Sequence, residues 1–514
     1  MTSLRKSVKA ALGKSIVKDP KRLFLTERLE RVPILSRIVL MMQTFRNKSG
    51  LPPMDLAAYE EISYMIYSSM EAPTRTFHNY EHLIDLAKGS DPLQVSAIAF
   101  HDIVYYSIDG GLSKAQQQYL NDVIVEHEDG SVTITTEKLD TSTEMVMDVF
   151  GFKYGQVLNP YAGMNEFLSA VIGCRMIFGS SFEQGSSKNH AVKVVACIEA
   201  TIPFRGIDDE GKLPPRVLFE RLVHVNEKYN VGMDEDEIVL AVQRSCDLGN
   251  KDLENFSWKD HAAFLSNTWK LLPESNIECR TPGSSMISEW ALAFKKFTGF
   301  FQHLNHENIY YSFRDPNEAA KVQKKSLLAK KNIQVALMYM NCEYLAMSIL
   351  YAIAELSGGD APLFLFQGDS PINPRRKLSI KLKDFLKYKR KPSKGVDCDK
   401  DVLKVLQKGR KEKNMMGFKN SPNAAFFYTH LGNEGVNKSL EFAVHPMDEE
   451  NALKLLQSVP FKPMIQFLAA CSKVAIIRLE KIESIVDRFS AEYIESQKFV
   501  DREFKKSEDR MNKL

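Results

Sequence analysis

Apolar residues recur every three to four positions over most of this chain. Residues 56–70 carry them at helical spacing, and so do residues 93–106, 167–178 and 192–200. That period predicts helices with one buried face. Residues 234–246 open on acids and carry Ile238, Val239, Val242 and Cys246 on their stripe. Acids suit the positive end of a helix dipole, so the helix is expected to start there. Residues 317–356 form a longer helical pattern that ends at "SGGD", and residues 463–514 predict one or two long helices with a charged tail. One segment breaks the period. "GSVTITTEKL", residues 130–139, alternates β-branched and polar side chains. It predicts a short strand or hairpin inside an insertion of roughly residues 107–160. Polar, glycine-bearing stretches at residues 179–189 and 206–215 predict loops.

The expected fold class is therefore mainly α: a helical domain with a small β-containing insertion, followed by a second, mostly helical region. A chain of 514 residues exceeds one domain. The turn "PGSS" at residues 282–285 marks the expected boundary. The divisions read from sequence are a basic N-terminal helical extension over 1–50, a domain over 51–280 and a helical region over 281–514.

Composition narrows the function classes. The net charge of +3 supplies no global attraction to nucleic acid, so any basic function must be local. The seven cysteines are scattered without a C-x-x-C pair. That argues against a disulfide framework or a zinc ribbon and favours a reducing, cytoplasmic setting. The most apolar early stretch, "VPILSRIVLMMQTF", is broken by Ser36 and Arg37, and no transmembrane segment is expected. The first 22 residues hold seven Lys/Arg and one acid, Asp19. A transit peptide or membrane-surface helix has this composition, and so does an exposed N-terminal helix. Residues 375–413 form a second basic stretch with Phe385 and Tyr388 interleaved. It suits the phosphates of anionic lipid or nucleic acid, or simply a solvated face.

The chemistry concentrates in three short stretches. "FHNYEHLIDL" places His78 and His82 four residues apart. On a helix that spacing puts both on one face, about 5–6 Å apart at Cβ. "AIAFHD" places His101 and Asp102 directly after an apolar helical run. Burying such a pair is costly unless it is paired or metal-bound. "SCDLGN" places Asp247 after another apolar stripe. Alone, Asp247 is a turn residue. With His82, His101 and Asp102 it completes two nitrogens and two carboxylates, a set suited to Mn, Fe, Zn or Mg with positions left for water and substrate. A second pair, His303 and His306 in "HLNH", has metal spacing with nothing beside it but Glu307. Phosphate-cradling glycine loops and a G-x-S-x-G elbow are absent from the sequence.

The order H…HD…D resembles the signature of the HD superfamily of metal-dependent phosphohydrolases. "RTFHNYEHLIDL", "AIAFHDIVYY" and "NEFLSA" are similar to the Y-H-N-x-x-H, F-H-D-x-V-Y and N-E-x-x-S-A motifs of its compact bacterial members. "FHNYEHLIDL" and "CDLGN" also resemble motifs of the cyclic nucleotide phosphodiesterases. The resemblance spans residues 56–269. It implies an HD-type helical bundle that hydrolyses a phosphomonoester or phosphodiester of a nucleotide. It implies a divalent ion held by His82, His101, Asp102 and Asp247, with His78 as proton donor to the leaving oxygen. Asn79 would fix the loop, Asp85 would stand behind the ligands, and Glu166 would approach the site with Asp102. The alternative is an HD domain that binds a nucleotide without cleaving it and regulates a partner or membrane through the basic segments. Three departures stand out. About 60 residues separate "HDIVYY" from "NEFLSA". "CIEATIPF" has Ile202 and Pro203 where the compact relatives carry a histidine, and no lysine follows the HD pair in H-D-x-x-K fashion.

Overall fold

A computed structural model describes residues 32–281, 285–368, 380–386, 391–413 and 419–490, with residues 502 and 504–506 near the end. The described residues are mainly helical, with one two-stranded sheet. Most of the basic N-terminal stretch, residues 369–379 and 387–390 of the basic region, and the charged tail lie outside them.

The chain forms two compact units. The first comprises Met1–Asn255 and Asn305–Leu327, and the second Phe256–Leu304 and Leu328–Leu514. The division therefore falls about 25 residues earlier than the "PGSS" turn suggested. Residues 305–327 also return to the first unit, which no local composition signal announces. They return because their side chains clamp the end of a first-unit helix, as described below.

In the first unit, α1 (Ile34–Lys48) and α2 (Leu56–Met70) pack together, and α1 also packs on α4 (Pro92–Phe100). Between them, α3 (Tyr80–Ala87) lies against α4. A short α5 (Tyr106–Asp109) and α6 (Lys114–Leu120) lead into the hairpin of β1 (Ile124–Glu126) and β2 (Val132–Ile134). The strands are antiparallel, with Ile124 opposite Ile134. The alternating segment thus supplies the second strand, and its partner lies just before it. Then follow α7 (Thr141–Phe150), α8 (Met164–Phe178), α9 (Ser187–Glu199), α10 (Pro214–Lys228) and α11 (Glu235–Asp252).

The centre of this unit is α4, whose residues from Leu93 to Phe100 are all buried. A helix apolar all round belongs inside a core. It packs on α8, α9 and α11. Its start is fixed by a capping box. Asp91 accepts from the Leu93 and Gln94 amides, and the Gln94 side chain accepts from the Asp91 amide. Gly173 of α8 lets that helix press on Phe100, since a Cβ there would lie 3.0 Å from the Phe100 ring. Phe100 is the residue before His101, so this contact sets the depth of the site.

The second unit contains α12 (His261–Thr268), α13 (Leu271–Ser275), α14 (Ile287–His303), most of α15 (Pro316–Leu356), α16 (Leu363–Gln367) and α17 (Leu382–Phe385). It continues with α18 (Lys400–Lys408), α19 (Pro422–Leu440), α20 (Glu449–Gln457), α21 (Phe461–Val474) and α22 (Leu479–Ser490). By length and composition α15 could cross a membrane, but 78% of its apolar stretch is buried inside the protein. Core burial is sufficient reason for that apolarity. Within the basic stretch, Arg410 is buried. Its guanidinium lies 3.7 Å from the centre of the Trp269 ring and donates to the Tyr339 hydroxyl at 2.9 Å. That arginine belongs to the core rather than to a phosphate-binding face.

Candidate metal centre

The turn after α4 carries His101 and Asp102. The helix stops at Phe100 instead of running to Tyr106, because distant side chains take the backbone groups that would have continued it. Arg75 donates to the carbonyls of Asp102 and Ile103, and Gln116 donates to the Ile103 carbonyl at 2.6 Å. Ser169 accepts from the Val104 amide at 3.0 Å, and Asn165 from the Tyr106 amide at 3.0 Å. Asn165 and Ser169 both belong to "NEFLSA", so the motif's polar residues hold the strand of chain that leaves the HD pair. The long insertion therefore leaves this junction intact.

His101 is buried, and its Nδ1 lies 2.8 Å from the Ile98 carbonyl. That bond places the proton on Nδ1 and turns the Nε2 lone pair towards the cluster. Nε2 stands 2.9 Å from Asp102 Oδ2. His82 sits in the first turn of α3, where the Asn79 side chain caps the amides of Glu81 and His82 at 3.1 and 3.3 Å. Asn79 thus fixes the start of the helix. The same cap leaves His78 outside α3, so the two histidines do not share a helical face as the spacing predicted. They still meet: their ring centres lie 5.9 Å apart, and the His78 ring lies 4.8 Å from that of Tyr105.

The last carboxylate corrects the sequence reading. Asp247 is exposed and accepts from Gln94 Nε2 at 2.9 Å, tying α11 to the start of α4. It does not join the histidines. Asp252 does, with Oδ1 3.1 Å from His82 Nε2 and 3.8 Å from His101 Nε2. The reason is helical phase. The helix expected to end at Cys246 runs on to Asp252. Its buried stripe passes through Ile238, Ala241, Val242, Ser245 and Leu248. One further step of that stripe lands on Asp252, whereas Asp247 lies about 140° round the helix from it at 100° per residue. A carboxylate continuing an apolar stripe was the available signal.

Several contacts hold Asp252 in place. A Cβ on Gly249 would lie 2.5 Å from the Ala200 carbonyl oxygen, so glycine lets α11 approach the end of α9. Asn250 makes a reciprocal pair with Tyr311, accepting from its amide at 2.8 Å and donating to its carbonyl at 2.7 Å. Tyr310 donates its hydroxyl to the Leu253 carbonyl at 2.8 Å. These are the contacts that return residues 305–327 to this unit.

Asp85 is also corrected. It is 71% exposed and paired with Lys88 at 2.5 Å, so it does not stand behind the ligands. His303 and His306 do not form a second centre: their Nδ1 atoms face the Gly299 carbonyl and the Ser326 hydroxyl respectively. Sequence reasoning also missed Arg75, which is fully buried against Asp109. It missed Arg205 as well, which donates to the buried Glu199 carboxylate and faces Glu166.

Among the described residues, one group of metal-type side chains converges: His82, His101 and Asp252, with ligand atoms all within 4.8 Å of one another. Asp102 Oδ2 lies 3.6 Å from His82 Nε2. Ligands on opposite sides of one ion, at bonds of about 2.0–2.2 Å, lie at most about 4.4 Å apart, so small side-chain rotations close the group. His82 Nε2, His101 Nε2, Asp102 Oδ2 and Glu166 Oε2 are all buried and make no well-aligned hydrogen bond. His82, His101 and Asp102 instead face one another at ion-pair distance, 2.9 and 3.6 Å, and such a buried cluster of imidazoles and carboxylates is costly unless its charges balance. Two imidazoles and two or three carboxylates form a donor set suited to a first-row divalent ion.

The local charges couple these groups to one another. Burial alone would raise the Asp102 carboxyl, yet the His101 and His78 rings hold it well below the ordinary carboxylate range. Burial alone would lower the His101 ring, yet Asp102 and Asp252 raise it to about 9. Burial pushes Glu166 up to about 7, with Asp102 adding to the rise and Arg205 opposing it. No protein-family model matches the chain, and neither a curated protein nor a solved structure is detectably similar to it.

Proposed function

We propose that the first unit is an HD-type, metal-dependent phosphohydrolase acting on a phosphate ester of a nucleotide, with His82, His101, Asp102 and Asp252 as its metal ligands. The carrying observation is the convergence of His82, His101 and Asp252, with Asp102 at ion-pair distance from both histidines. When bound, a divalent ion would bring a water towards ionisation near neutral pH and polarise a phosphoryl oxygen.

The chain's own residues do the rest. His101 is oriented by the Ile98 carbonyl, and the HD turn by Arg75, Gln116, Asn165 and Ser169. That preorganisation places both ligands before substrate arrives. His78 lies at the edge of the cluster against Tyr105. As the bond from phosphorus to the leaving oxygen breaks, His78 donates a proton to that oxygen. Glu166, buried beside Asp102, holds a proton or accepts a hydrogen bond from the incoming water. Arg205 stands near Glu166, directly after the segment where the compact relatives place a histidine.

The test is elemental analysis of the purified full chain together with a phosphoester panel, wild type against Asp102→Ala. The proposal expects stoichiometric divalent metal and metal-dependent phosphate release that Asp102→Ala abolishes. A protein that binds metal and nucleotide but releases no phosphate from any substrate would instead be a nucleotide-binding module.

A further inference from the structure

An open groove of about 720 Å³ lies on the first unit where α1 begins. Its walls are the start of α1, Glu71 at the end of α2, and one face of α3. Tyr80, Glu81, Ile84 and Asp85 form that face, since residues four apart on a helix lie side by side. His82 leaves α3 on another side, towards His101 and Asp252.

The groove is apolar within and negative at its rim. Ile34, Tyr80 and Ile84 supply the apolar surface. Glu71, Glu81 and Asp85 are exposed at the edge. Asp85 is paired with Lys88 at 2.5 Å, whereas Glu71 and Glu81 form no ion pair among the described residues. The cation among the described lining residues is Arg37, and it is already engaged. Its Nε donates to the Val32 carbonyl at 2.8 Å, and its guanidinium faces the buried Tyr80 hydroxyl. A carboxylate rim without matching cations over an apolar floor suits a segment that carries both positive and apolar side chains.

The chain itself has such a segment beside the groove. Val32, a lining residue, is the first of the described residues, so residues 1–31 enter the fold at the groove's edge. Those 31 residues hold nine Lys/Arg against three acids. Within them "KRLFL", residues 21–25, sets two cations directly before Leu23, Phe24 and Leu25. Leu25 is seven residues from Val32, a tether of at most about 25 Å at full extension. A tether that short holds the segment at an effective concentration that a free partner must exceed.

We propose that residues 21–25 dock in this groove, with Lys21 and Arg22 on Glu71 and Glu81 and with the Leu-Phe-Leu run on Ile34, Tyr80 and Ile84. The inference does not depend on the phosphohydrolase reading. It gives the basic N-terminus an intramolecular seat, on the helix whose first turn carries His82. Whatever draws the N-terminus away then uncovers an acidic, apolar surface on α3.

The experiment is carried out on the full chain. Hydrogen exchange of residues 21–31 is followed by mass spectrometry in wild type, Glu71→Lys/Glu81→Lys, Lys21→Glu/Arg22→Glu, and all four changes together. Circular dichroism confirms that each variant folds. Exchange should rise at least tenfold in either double variant and return towards wild type in the fourfold charge swap. Independently, Phe24→Cys/Ile84→Cys should form an intramolecular disulfide on mild oxidation at least tenfold faster than Phe24→Cys/Lys48→Cys. Lys48 is exposed at the far end of α1, about 21 Å from Ile34 at 1.5 Å per residue. Exchange that the reversals leave unchanged, a loss that the swap does not restore, or equal disulfide rates would overturn the proposal. A Phe24→Cys/Ile84→Cys disulfide that forms between two chains would overturn it in favour of a second copy as the occupant.

Discussion

His82 Nε2 and Asp252 Oδ1 lie 3.1 Å apart, although one begins α3 and the other ends α11. Neither residue reaches the other through local structure. The contact exists because α4 packs against both helices and because Asn250, two residues before Asp252, is pinned to Tyr311. The site is therefore a property of the first unit's tertiary packing, not of any one motif.

That dependence predicts a coupled effect at Asn250. Asn250→Ala removes both bonds to Tyr311 and leaves that backbone unpaired, at a cost of about 2–3 kcal/mol. Metal affinity should fall at least tenfold even though every proposed ligand remains. Urea denaturation and metal titration of the variant check both. Unchanged metal affinity would mean Asp252 is held by other contacts.

Arg75 is the second anchor. It pairs with Asp109 at 2.6 Å with no side-chain exposure, and it also holds the HD turn through two carbonyls. Arg75→Ala leaves the half-buried Asp109 carboxylate without its cation and takes a donor from the Asp102 carbonyl, while Gln116 still serves Ile103 and Thr74 still serves Asp109, so a loss of about 2–4 kcal/mol is expected. Asp109→Asn keeps hydrogen-bonding groups near Arg75 and should cost less. Chemical denaturation of both variants decides this, and a loss under 1 kcal/mol for Arg75→Ala would refute it.

Asp140 gives a pH-dependent prediction away from the metal pocket. It caps α7 through the Thr143 amide at 3.0 Å and pairs with Arg175. Burial alone would raise its carboxyl, but Ser142, Thr143 and Arg175 lower it to about 2 from an ordinary 3.8. A depressed carboxyl stabilises above its unfolded value, and that contribution fades as pH falls from about 4 through 2. Asp140→Asn keeps a capping group. Because the side chain is 46% exposed, screening limits the charge effect to about 1 kcal/mol at pH 6. The difference between wild type and variant should shrink towards zero as pH falls to about 2. A difference that grows on acidification would contradict the assignment.

Much of the helical frame was legible from periodicity, because a buried face leaves its mark every three to four residues. The helix at Leu56–Met70 falls where its apolar spacing placed it. The strand at Val132–Ile134 lies inside the alternating segment, but its partner Ile124–Glu126 is too short to leave a pattern. Of the site, His82, His101 and Asp102 were legible because histidines and acids near apolar runs demand a reason. Asp247 misled because a helix was ended one and a half turns early. The stripe through Ser245 and Leu248 was already pointing at Asp252. The roles of Arg75, Asn250 and Tyr311 were not legible, since each acts on a partner far away in sequence.

The central claim is that Asp252, not Asp247, completes the metal centre. Isothermal titration of Mn²⁺ or Zn²⁺ into chelator-stripped full-length wild type, Asp252→Ala and Asp247→Ala tests it directly. The account predicts tight, near-stoichiometric binding by wild type and Asp247→Ala, and a loss of a hundredfold or more in Asp252→Ala. Binding that survives Asp252→Ala but is lost in Asp247→Ala, or no binding by wild type at all, would contradict it.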